Sequence, residues 1–280
     1  MPEGDTIFRA ARTLHRALAG QQVTRFESVY PALTRVDHDA PLTGRTTESV
    51  TARGKHLLMT FSGGLILHTH MRMHGSWHVY RPGERWRAPG HAMRVRLDTA
   101  AFVAVGFDIP VAEFLTAPEL LRHPQLSALG PDLAGPAFDR EEVWRRFTAE
   151  GNRPLEEVLL NQRVLAGIGN VLKSEVLFVA ALAPSLPADA VSRADFDRLI
   201  DASLRLMRMN IVDPTLPPAA AGRRTTGSLD PQAKLFVYGR GGRPCRRCGT
   251  AILSARTGGD ARLTYWCPVC QGTGPRAEAD

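Results

Sequence analysis

Four cysteines constrain the end of this chain more tightly than any other feature of its sequence. They are the only cysteines in 280 residues, and they form two Cys-x2-Cys pairs with eighteen residues between them: Cys245, Cys248, Cys267 and Cys270. This spacing is typical of a tetrahedral zinc site, and four thiolate ligands leave no open coordination position. The sequence therefore predicts one structural Zn²⁺ that organises a small C-terminal module and takes no part in chemistry.

The predicted zinc module is strongly basic. Eight Lys or Arg residues stand against a single acid between residues 234 and 276. The segment between the cysteine pairs has two β-prone arms around Gly258 and Gly259, which predicts a hairpin that holds Arg256 or Arg262 outward. Two uses fit such a module, namely adhesion to nucleic-acid phosphates or protein contacts through a zinc ribbon.

The excess of positive charge extends over the whole chain. The formal net charge is +7, and only three of the 35 basic residues are lysines. Arginine suits bidentate contacts to phosphate, so a polyanionic partner is expected, although net charge also serves solubility. The chain has no apolar run of about 18 residues and no secretory signal. A cytoplasmic protein without a membrane partner is therefore expected.

The first part of the chain alternates short strand-like segments with turns. An amphipathic helix is predicted before them, because Ile7, Ala11 and Leu14 recur at helical spacing ahead of Gly20. Core packing alone explains that helix. The strand-like segments predict a β-sandwich or a barrel. They are residues 21–27, His56–Phe61, Leu65–His70, 93–97 and 102–107.

Helical periodicity replaces this pattern after a Gly- and Pro-rich linker at residues 129–139. The predicted helices are residues 139–150, 154–160, 171–181 and 192–211. Another breaker-rich stretch, residues 214–227, precedes the zinc module. The sequence thus predicts an α+β multidomain chain with three parts. These are a β-sandwich domain with a flanking helix at 1–128, a helical domain at 129–225, and a zinc-finger module with a frayed tail at 226–280.

Several short motifs offer groups for chemistry, each with an ordinary structural alternative. Removal of Met1 would expose the secondary amine of Pro2 beside Glu3, which helix packing does not explain. The Gly-Ile-Gly-Asn turn before Asn170 suits a phosphate, or is a plain corner between helices. Lys55, near the start of a strand, either contacts an anion or is a solvated surface residue. Met73 is either an exposed residue that inserts into a partner or part of the apolar core.

Together these motifs resemble the formamidopyrimidine-DNA glycosylase and endonuclease VIII family. The segments MPEG, RGKHLL, LAGIGNVLKSEVLF, VYGRGGRPCRRCGT and YWCPVCQ occur in the family's order and span nearly the whole chain. The resemblance implies a β-sandwich, a helix-two-turn-helix domain and a zinc finger. It further implies a monomer that holds damaged DNA, at a lesion or an abasic site, between its domains. Such a protein is expected to associate with the bacterial nucleoid when DNA is bound.

The resemblance also implies roles for individual residues. Pro2 matches the family's nucleophile, Glu3 its acid/base and Lys55 its catalytic-site lysine. Arg262 matches the arginine at the hairpin tip, and Asn170 matches the phosphate-binding asparagine. Further DNA contacts are expected from the residue before that asparagine and from the segment that fills the void left by the extruded base, namely Gly169, Arg72, Met73 and His74.

The implied activity is that of a bifunctional glycosylase and abasic-site lyase of base excision repair, which cuts the strand by β,δ-elimination after forming a Schiff base at Pro2. Asp5-Thr6 departs from the family's Pro-Glu, so either Asp5 or solvent replaces a second carboxylate, or the base-excision step is altered. The MPEGDT opening and the RLTYWC finger are closer to endonuclease VIII, which favours oxidised pyrimidines. The alternatives are a specialist for abasic sites or oxidised purines, and a non-catalytic protein that binds damaged DNA.

Overall fold

The computed structural model describes residues 2–211, 222–228 and 230–272. The chain divides into two compact units, Met1–Ala128 and Leu129–Asp280. The predicted breaker-rich segment 214–227 is described only from residue 222, and the predicted frayed tail lies outside the described residues. Within the described ranges, no helix has the length and apolar character needed to cross a membrane.

The first unit is mainly antiparallel β-structure. Its described helices are α1 Gly4–Leu18, α2 Pro31–Asp39 and α3 Ala117–Arg122. Its described strands are β1 Arg25–Ser28, β2 Thr47–Arg53, β3 His56–Phe61, β4 Leu65–His70, β5 Ser76–Tyr80, β6 Met93–Asp98, β7 Val103–Phe107 and β8 Val111–Leu115. The strands form two four-stranded sheets, in the orders β1-β6-β7-β5 and β2-β3-β4-β8.

One apolar core joins the two sheets and α1. Leu57 and Leu67 from one sheet, Val95 and Leu97 from the other, and Leu14 from α1 belong to the same buried cluster. The period of two along each strand explains this, because alternate side chains point to the same face. The first unit is therefore a β-sandwich with a flanking helix, which confirms the predicted fold class.

The second unit begins with helices and contains a small hairpin that is followed by one short helix. Its described helices are α4 Arg140–Thr148, α5 Leu155–Val158, α6 Asn170–Ala180, α7 Arg193–Ile211 and α8 Pro268–Gln271, and its described strands are β9 Leu253–Thr257 and β10 Arg262–Trp266. The helices share a core that includes Phe147, Leu172, Phe196 and Leu206. A smaller cluster with Phe178, Val237 and Ile252 joins α6 to the cysteine-rich part.

Candidate functional site

The first described residues form the start of α1. Pro2 is half-buried, and Glu3 precedes the helix with a fully buried side chain. The Glu3 carbonyl accepts hydrogen bonds from the backbone N–H groups of Thr6 and Ile7 at 2.9 and 3.0 Å, so Glu3 is the N-cap residue. This cap fixes a carboxyl group beside the residue that carries the predicted nucleophile.

A second carboxylate lies in the first turn of α1. Asp5 is fully buried, and its Oδ1 accepts hydrogen bonds from the Thr6 backbone N–H at 2.7 Å and from the Thr6 hydroxyl at 3.2 Å. Negative charge in the first turn is favoured by the helix dipole. The Asp5-Thr6 pair, at which the sequence departs from the family pattern, thus forms a local hydrogen-bonded unit.

Lys55 lies in the two-residue turn between β2 and β3. Gly54 has a φ of +59°, a left-handed conformation that glycine adopts without strain, and Arg53 pairs with His56 across the turn. Lys55 is half-buried. Burial, followed by the positive charges of Arg72 and Lys55, lowers the pKa of His70 to about 4. The turn that carries Lys55 therefore lies close to the end of β4.

The predicted void-filling segment is the tight connection between β4 and β5. Arg72 has a φ of +49°, and the Gly75 backbone N–H donates to the Met71 carbonyl at 2.9 Å. A Cβ atom on Gly75 would lie 2.6 Å from that carbonyl oxygen, so glycine is required there. The closed turn leaves Met73 48% exposed at its tip, with His74 also exposed.

A row of polar side chains that the sequence analysis did not identify crosses the sheet formed by β2, β3, β4 and β8. His56 Nδ1 lies 2.8 Å from His68 Nε2, and His68 Nδ1 lies 2.8 Å from Glu113 Oε1. His123 Nε2 lies 3.0 Å from the same Glu113 oxygen. Burial lowers the pKa of His68 and, with the nearby His70, His68, His123 and Arg72 charges, lowers that of His56 to about 2.

In the second unit the four cysteines converge as their spacing predicts. The Sγ atoms of Cys245 and Cys270 are 3.9 Å apart, those of Cys248 and Cys267 are 3.4 Å apart, and all four lie within 4.8 Å of one another. Sulfur ligands about 2.3 Å from a tetrahedral zinc ion stand about 3.8 Å apart. The cluster is thus a metal-binding arrangement that fits one structural zinc ion.

The predicted phosphate site and the predicted finger meet at the start of α6. Asn170 is buried, and its Nδ2 donates to the Leu263 carbonyl at 2.9 Å. Its Oδ1 is buried and has no hydrogen-bond partner among the described residues. Gly169 is the buried N-cap residue of α6. Arg262, the residue before Leu263, begins β10 opposite Thr257, and its side chain is 44% exposed.

A buried lysine that the sequence analysis missed joins α6 to this hairpin. Lys173 is fully buried, and its Nζ donates to the Thr264 hydroxyl at 2.7 Å. Thr264 Oγ1 is in turn 2.6 Å from Thr257 Oγ1. Burial raises the pKa of Glu156, and the Lys173 charge opposes that rise. Lys173, Glu156, Thr257 and Arg262 line one cavity of about 270 Å³.

Glu175, two residues further along α6, anchors the segment that leads to the cysteines. Its fully buried carboxylate accepts backbone N–H donors from Phe236 at 2.8 Å, Val237 at 2.8 Å and Tyr238 at 2.7 Å, and also accepts the Thr225 hydroxyl. Four donors satisfy the charge in the interior. A single helix, α6, therefore holds both the hairpin and the segment that leads to it.

Two family models match the chain. That of the formamidopyrimidine-DNA glycosylase N-terminal domain covers residues 1–108, and that of the formamidopyrimidine-DNA glycosylase H2TH domain covers residues 129–215. The chain belongs to the formamidopyrimidine-DNA glycosylase family. This confirms the resemblance seen in the sequence and the predicted class of DNA-repair enzyme, DNA glycosylases with abasic-site lyase activity.

Relatives of this glycosylase-family chain carry names from the endonuclease VIII branch, as predicted. "Probable endonuclease 8 2" of Streptomyces coelicolor is 46% identical over 99% of this chain and 96% of its own length. "DNA-(apurinic or apyrimidinic site) lyase Nei2" of Mycolicibacterium smegmatis is 38% identical over 97% and 99%. "Endonuclease 8" of Escherichia coli is 34% identical over 97% and 100%.

Solved structures of the formamidopyrimidine-DNA glycosylase of Lactococcus lactis have the same fold. One is described as bound non-covalently to DNA with an AP site, with a TM-score of 0.80 and 23% identity. Another is described as a complex with DNA that contains an oxidised pyrimidine, with a TM-score of 0.81 and 24% identity. Each covers 97% of this chain and 100% of the solved chain. At this identity the similarity concerns the fold alone.

Proposed function

We propose that this chain is a bifunctional DNA glycosylase and abasic-site lyase that acts as a monomer on damaged DNA. The observation that carries the proposal is the start of α1 in a member of this family, where the fully buried Glu3 caps the helix directly after Pro2. The names of the relatives support the same reaction class, since one of them is called an abasic-site lyase.

Pro2 is the proposed nucleophile because an α-amino group has a pKa of about 8, against about 10.4 for lysine, and so is partly neutral at cellular pH. Its nitrogen bonds to the sugar C1′ as the bond from C1′ to the damaged base breaks, and the base leaves with the electron pair of that bond and a proton. The nitrogen gives up its own proton, and the C1′–O4′ bond then breaks with protonation of O4′, which leaves an iminium ion between Pro2 and C1′. The iminium acidifies the C2′ proton, and its removal expels the 3′ phosphate. A second elimination expels the 5′ phosphate.

Glu3 and Asp5 are the proposed proton-transfer groups at this centre. The cap position holds Glu3 beside Pro2, so that its carboxyl can protonate the opened sugar and later remove a proton. Asp5 is fully buried in the first turn. Its burial and its hydrogen bonds favour Asp5, rather than solvent, as the replacement for the second carboxylate of the family.

The remaining predicted site residues are proposed to bind the DNA. Lys55, on the β2–β3 turn, and Arg262, the first residue of β10, provide positive charge for the phosphates around the lesion. Asn170 with Gly169 binds a phosphate at the start of α6. The exposed tip of the β4–β5 turn supports Met73 as the wedge that replaces the extruded base. Arg72 and His74 lie on either side of it.

A structural zinc ion at the four cysteines is proposed to hold the finger hairpin. The sulfur positions fit a tetrahedral ion, and the surrounding apolar cluster is small. We propose further that residues 129–225 and 226–280 act as a helix-two-turn-helix domain and a separate zinc module. Zinc supplies folding energy here, whereas the reaction is left to the groups at the start of the chain.

Covalent trapping tests the proposed reaction. Borohydride reduction with abasic-site DNA should produce an adduct whose mass spectrum places the sugar on the Pro2 nitrogen. A chain with extra residues left before Pro2 should bind the same DNA and give no adduct, and Glu3→Gln should slow trapping. Glu27→Gln, on β1 in the same unit and partly exposed in an ion pair with Arg25, is the matched control. An adduct on another residue, or none with the wild type, would contradict the proposal.

Oxidised pyrimidines are the proposed substrates, with β,δ-elimination as the outcome. The relatives named endonuclease 8 support this preference over oxidised purines. Nicking of strands with thymine glycol, dihydrouracil, 8-oxoguanine or an abasic site ranks the four substrates, and the phosphate on each product end identifies the elimination. A higher rate on 8-oxoguanine than on thymine glycol would reverse the preference. Tight binding without nicking would favour the non-catalytic alternative.

A further inference from the structure

The row of polar side chains that includes His56, His68 and Glu113 lies on one face of the β2-β3-β4-β8 sheet. His56 and His70 are directly opposite each other on β3 and β4, and His68 is directly opposite Glu113 on β8. Because side chains alternate, these groups share the sheet face opposite Leu57 and Leu67, which lie in the sandwich core. Burying this many imidazoles on one face costs free energy unless their nitrogens are paired.

Hydrogen bonds along the row fix the position of each proton. The Leu126 backbone N–H donates to His123 Nδ1 at 3.3 Å, so the proton of a neutral His123 is on Nε2 and is donated to Glu113. Glu113 Oε1 also accepts from His68 Nδ1, which leaves His68 Nε2 as an acceptor. The adjacent His56 Nδ1 must then be the donor in the 2.8 Å contact between the two rings.

The same reasoning leaves one nitrogen unused. With its proton on Nδ1, a neutral His56 has a lone pair on Nε2, and no described residue donates to that atom. His56 is only 5% exposed. Burial and the surrounding positive groups disfavour a proton there, which keeps the nitrogen a hydrogen-bond acceptor at neutral pH. His56 Nε2 is not among the buried side-chain atoms that lack a hydrogen-bond partner, so this acceptor reaches the surface through the small exposed part of the ring. A surface acceptor fixed in one tautomer next to Lys55 is a place for a donor from outside the chain.

We propose that His56 Nε2 accepts a hydrogen bond from an N–H or O–H group that arrives with bound DNA. Glu113, acting through His68, is the positioning residue that keeps His56 in the tautomer with its proton on Nδ1. The donor is either a hydroxyl of the opened deoxyribose or a water ordered by the DNA. His56 is next in sequence to Lys55, and its ring centroid is 4.7 Å from that of His70, which faces Lys55 and Arg72. The inference rests on the proposed function, since it deepens substrate binding at that site.

The arrangement argues against a metal ion as the purpose of the row. His68, Glu113 and His123 lie close enough together to ligate one, but coordination at His123 Nε2 requires the proton to move to Nδ1. That proton would oppose the Leu126 N–H, which already occupies Nδ1 as a donor. A hydrogen-bonded row satisfies each of these contacts with neutral rings, whereas a bound metal would lose the Leu126 contact.

Nitrogen NMR of histidine-labelled full-length protein tests the tautomer directly. The free protein should show His56 protonated at Nδ1 and bare at Nε2, and Glu113→Ala should shift His56 toward the opposite tautomer. Reduced abasic-site DNA, which carries free sugar hydroxyls, should shift the His56 Nε2 resonance. A tetrahydrofuran analogue of the abasic site lacks these hydroxyls, so comparison of the two DNAs shows whether the donor is a sugar hydroxyl or a water. A shift with both DNAs identifies water, and a shift with the first alone identifies the sugar.

Kinetics supply a second readout. His56→Phe should lower kcat/KM for nicking about 3- to 10-fold, the value of one hydrogen bond, and His56→Gln, which offers an acceptor oxygen, should recover most of it. His78→Phe is the matched control, because His78 is a half-buried histidine of the other sheet whose ring is 3.1 Å from the Ser76 hydroxyl. Thermal unfolding of each variant confirms that it is folded.

Three outcomes would overturn the inference. They are a His56 protonated at Nε2 in the free protein, an Nε2 resonance that neither DNA shifts, and a second zinc ion bound per chain that His123→Gln removes. Borohydride trapping at Pro2 with unreduced abasic-site DNA, carried out on the same protein preparations, separates this inference from the proposed function. Trapping that persists while His56→Phe behaves as the wild type rejects only the role of His56, whereas absent trapping rejects the proposed function.

Discussion

In the described part of the chain, Lys55 lies on one hairpin turn and Arg262 directly follows another, and different forces hold the two turns. The turn with Lys55 joins two strands of an eight-stranded sandwich whose interior is apolar. The turn before Arg262 joins only two strands, β9 and β10, and its neighbours are a small apolar cluster, a buried lysine and a buried carboxylate. A hydrophobic core tolerates the loss of any one polar contact. The finger hairpin instead depends on each of a few polar contacts.

Metal removal should show this contrast most strongly. Chelation of zinc, or Cys267→Ser, should abolish ordered structure in the hairpin, because metal binding supplies about 10–16 kcal/mol in zinc-finger peptides. DNA affinity should fall with it, while the sandwich stays folded. Amide hydrogen exchange, resolved by segment, measures both effects in one sample. Loss of protection in β3 and β4 as well would show that the two turns are not independently held.

A core truncation tests the other side of the comparison. Leu57→Ala removes a fully buried side chain from β3 and should lower the free energy of unfolding of the first unit by about 2–5 kcal/mol. Urea denaturation with a tryptophan signal reports the change. Hydrogen exchange in β9 and β10 should stay as in the wild type, and an equal loss of protection there would join the two regions into one cooperative unit.

Glu175→Gln should destabilise the second unit by about 3 kcal/mol. The substitution keeps the size of the side chain but removes the charge that four donors share and places an amide N–H₂ against backbone N–H groups. Denaturation of the full chain measures the loss, and Glu141→Gln, at an exposed ion pair with Arg193, provides a surface comparison. A change below about 0.5 kcal/mol would mean that the clamp is dispensable.

Lys173→Met should cost about 1–3 kcal/mol at neutral pH and less in acid. The Lys173 charge lowers the pKa of Glu156, which burial raises above the ordinary value of 4.5, so its removal raises that pKa further. At pH values between 4.5 and the raised pKa of Glu156, the folded state of the variant binds more protons than the unfolded state. Stability therefore falls as the pH rises through this interval. Unfolding at pH 4 and pH 7 measures the difference, which is expected to be absent in Lys173→Met/Glu156→Gln.

Arg262→Ala should have the smallest effect on stability, below about 0.5 kcal/mol, because its side chain is exposed and its ion pair with Asp260 is 3.8 Å long. Its effect should appear in DNA binding instead, where the slope of log affinity against log salt should fall by about 1. Arg256→Ala, on the neighbouring strand, is the comparison. Equal slopes in Arg262→Ala and the wild type would remove Arg262 from the phosphate contacts.

The sequence predicted those parts of the fold whose pattern is long or whose chemistry is particular. The 3.6 period identified α1 and α7, and the cysteine spacing identified the metal cluster. Strand β2 was missed because its sequence, TESVTAR, has no regular apolar alternation, and α2 was missed because nine residues that begin with Pro31 give a weak period. Strands β5 and β8 were missed because each is only five residues long, which is too short for a distinctive pattern.

Site residues that depend on pairing between distant segments could not be predicted. The row from His56 to His123 exists only once the strand register is known, because its members are separated by up to 67 positions, from residue 56 to residue 123. Lys173 and Glu175 look like exposed helix charges in the sequence, yet both are fully buried against the finger. Charge on a helix indicates solvent only when nothing else packs on that face.

The two faces of β4 carry different side chains, which limits where the chain tolerates an inserted or deleted residue. Leu67 and Thr69 point into the sandwich, where Thr69 accepts the Trp77 indole N–H, while His68 and His70 point the other way. One residue inserted or deleted within this strand would exchange the two sets and drive imidazoles into the apolar interior. Length variation at this place is therefore expected in the turn at residues 62–64, where an added residue leaves the alignment of the strands unchanged.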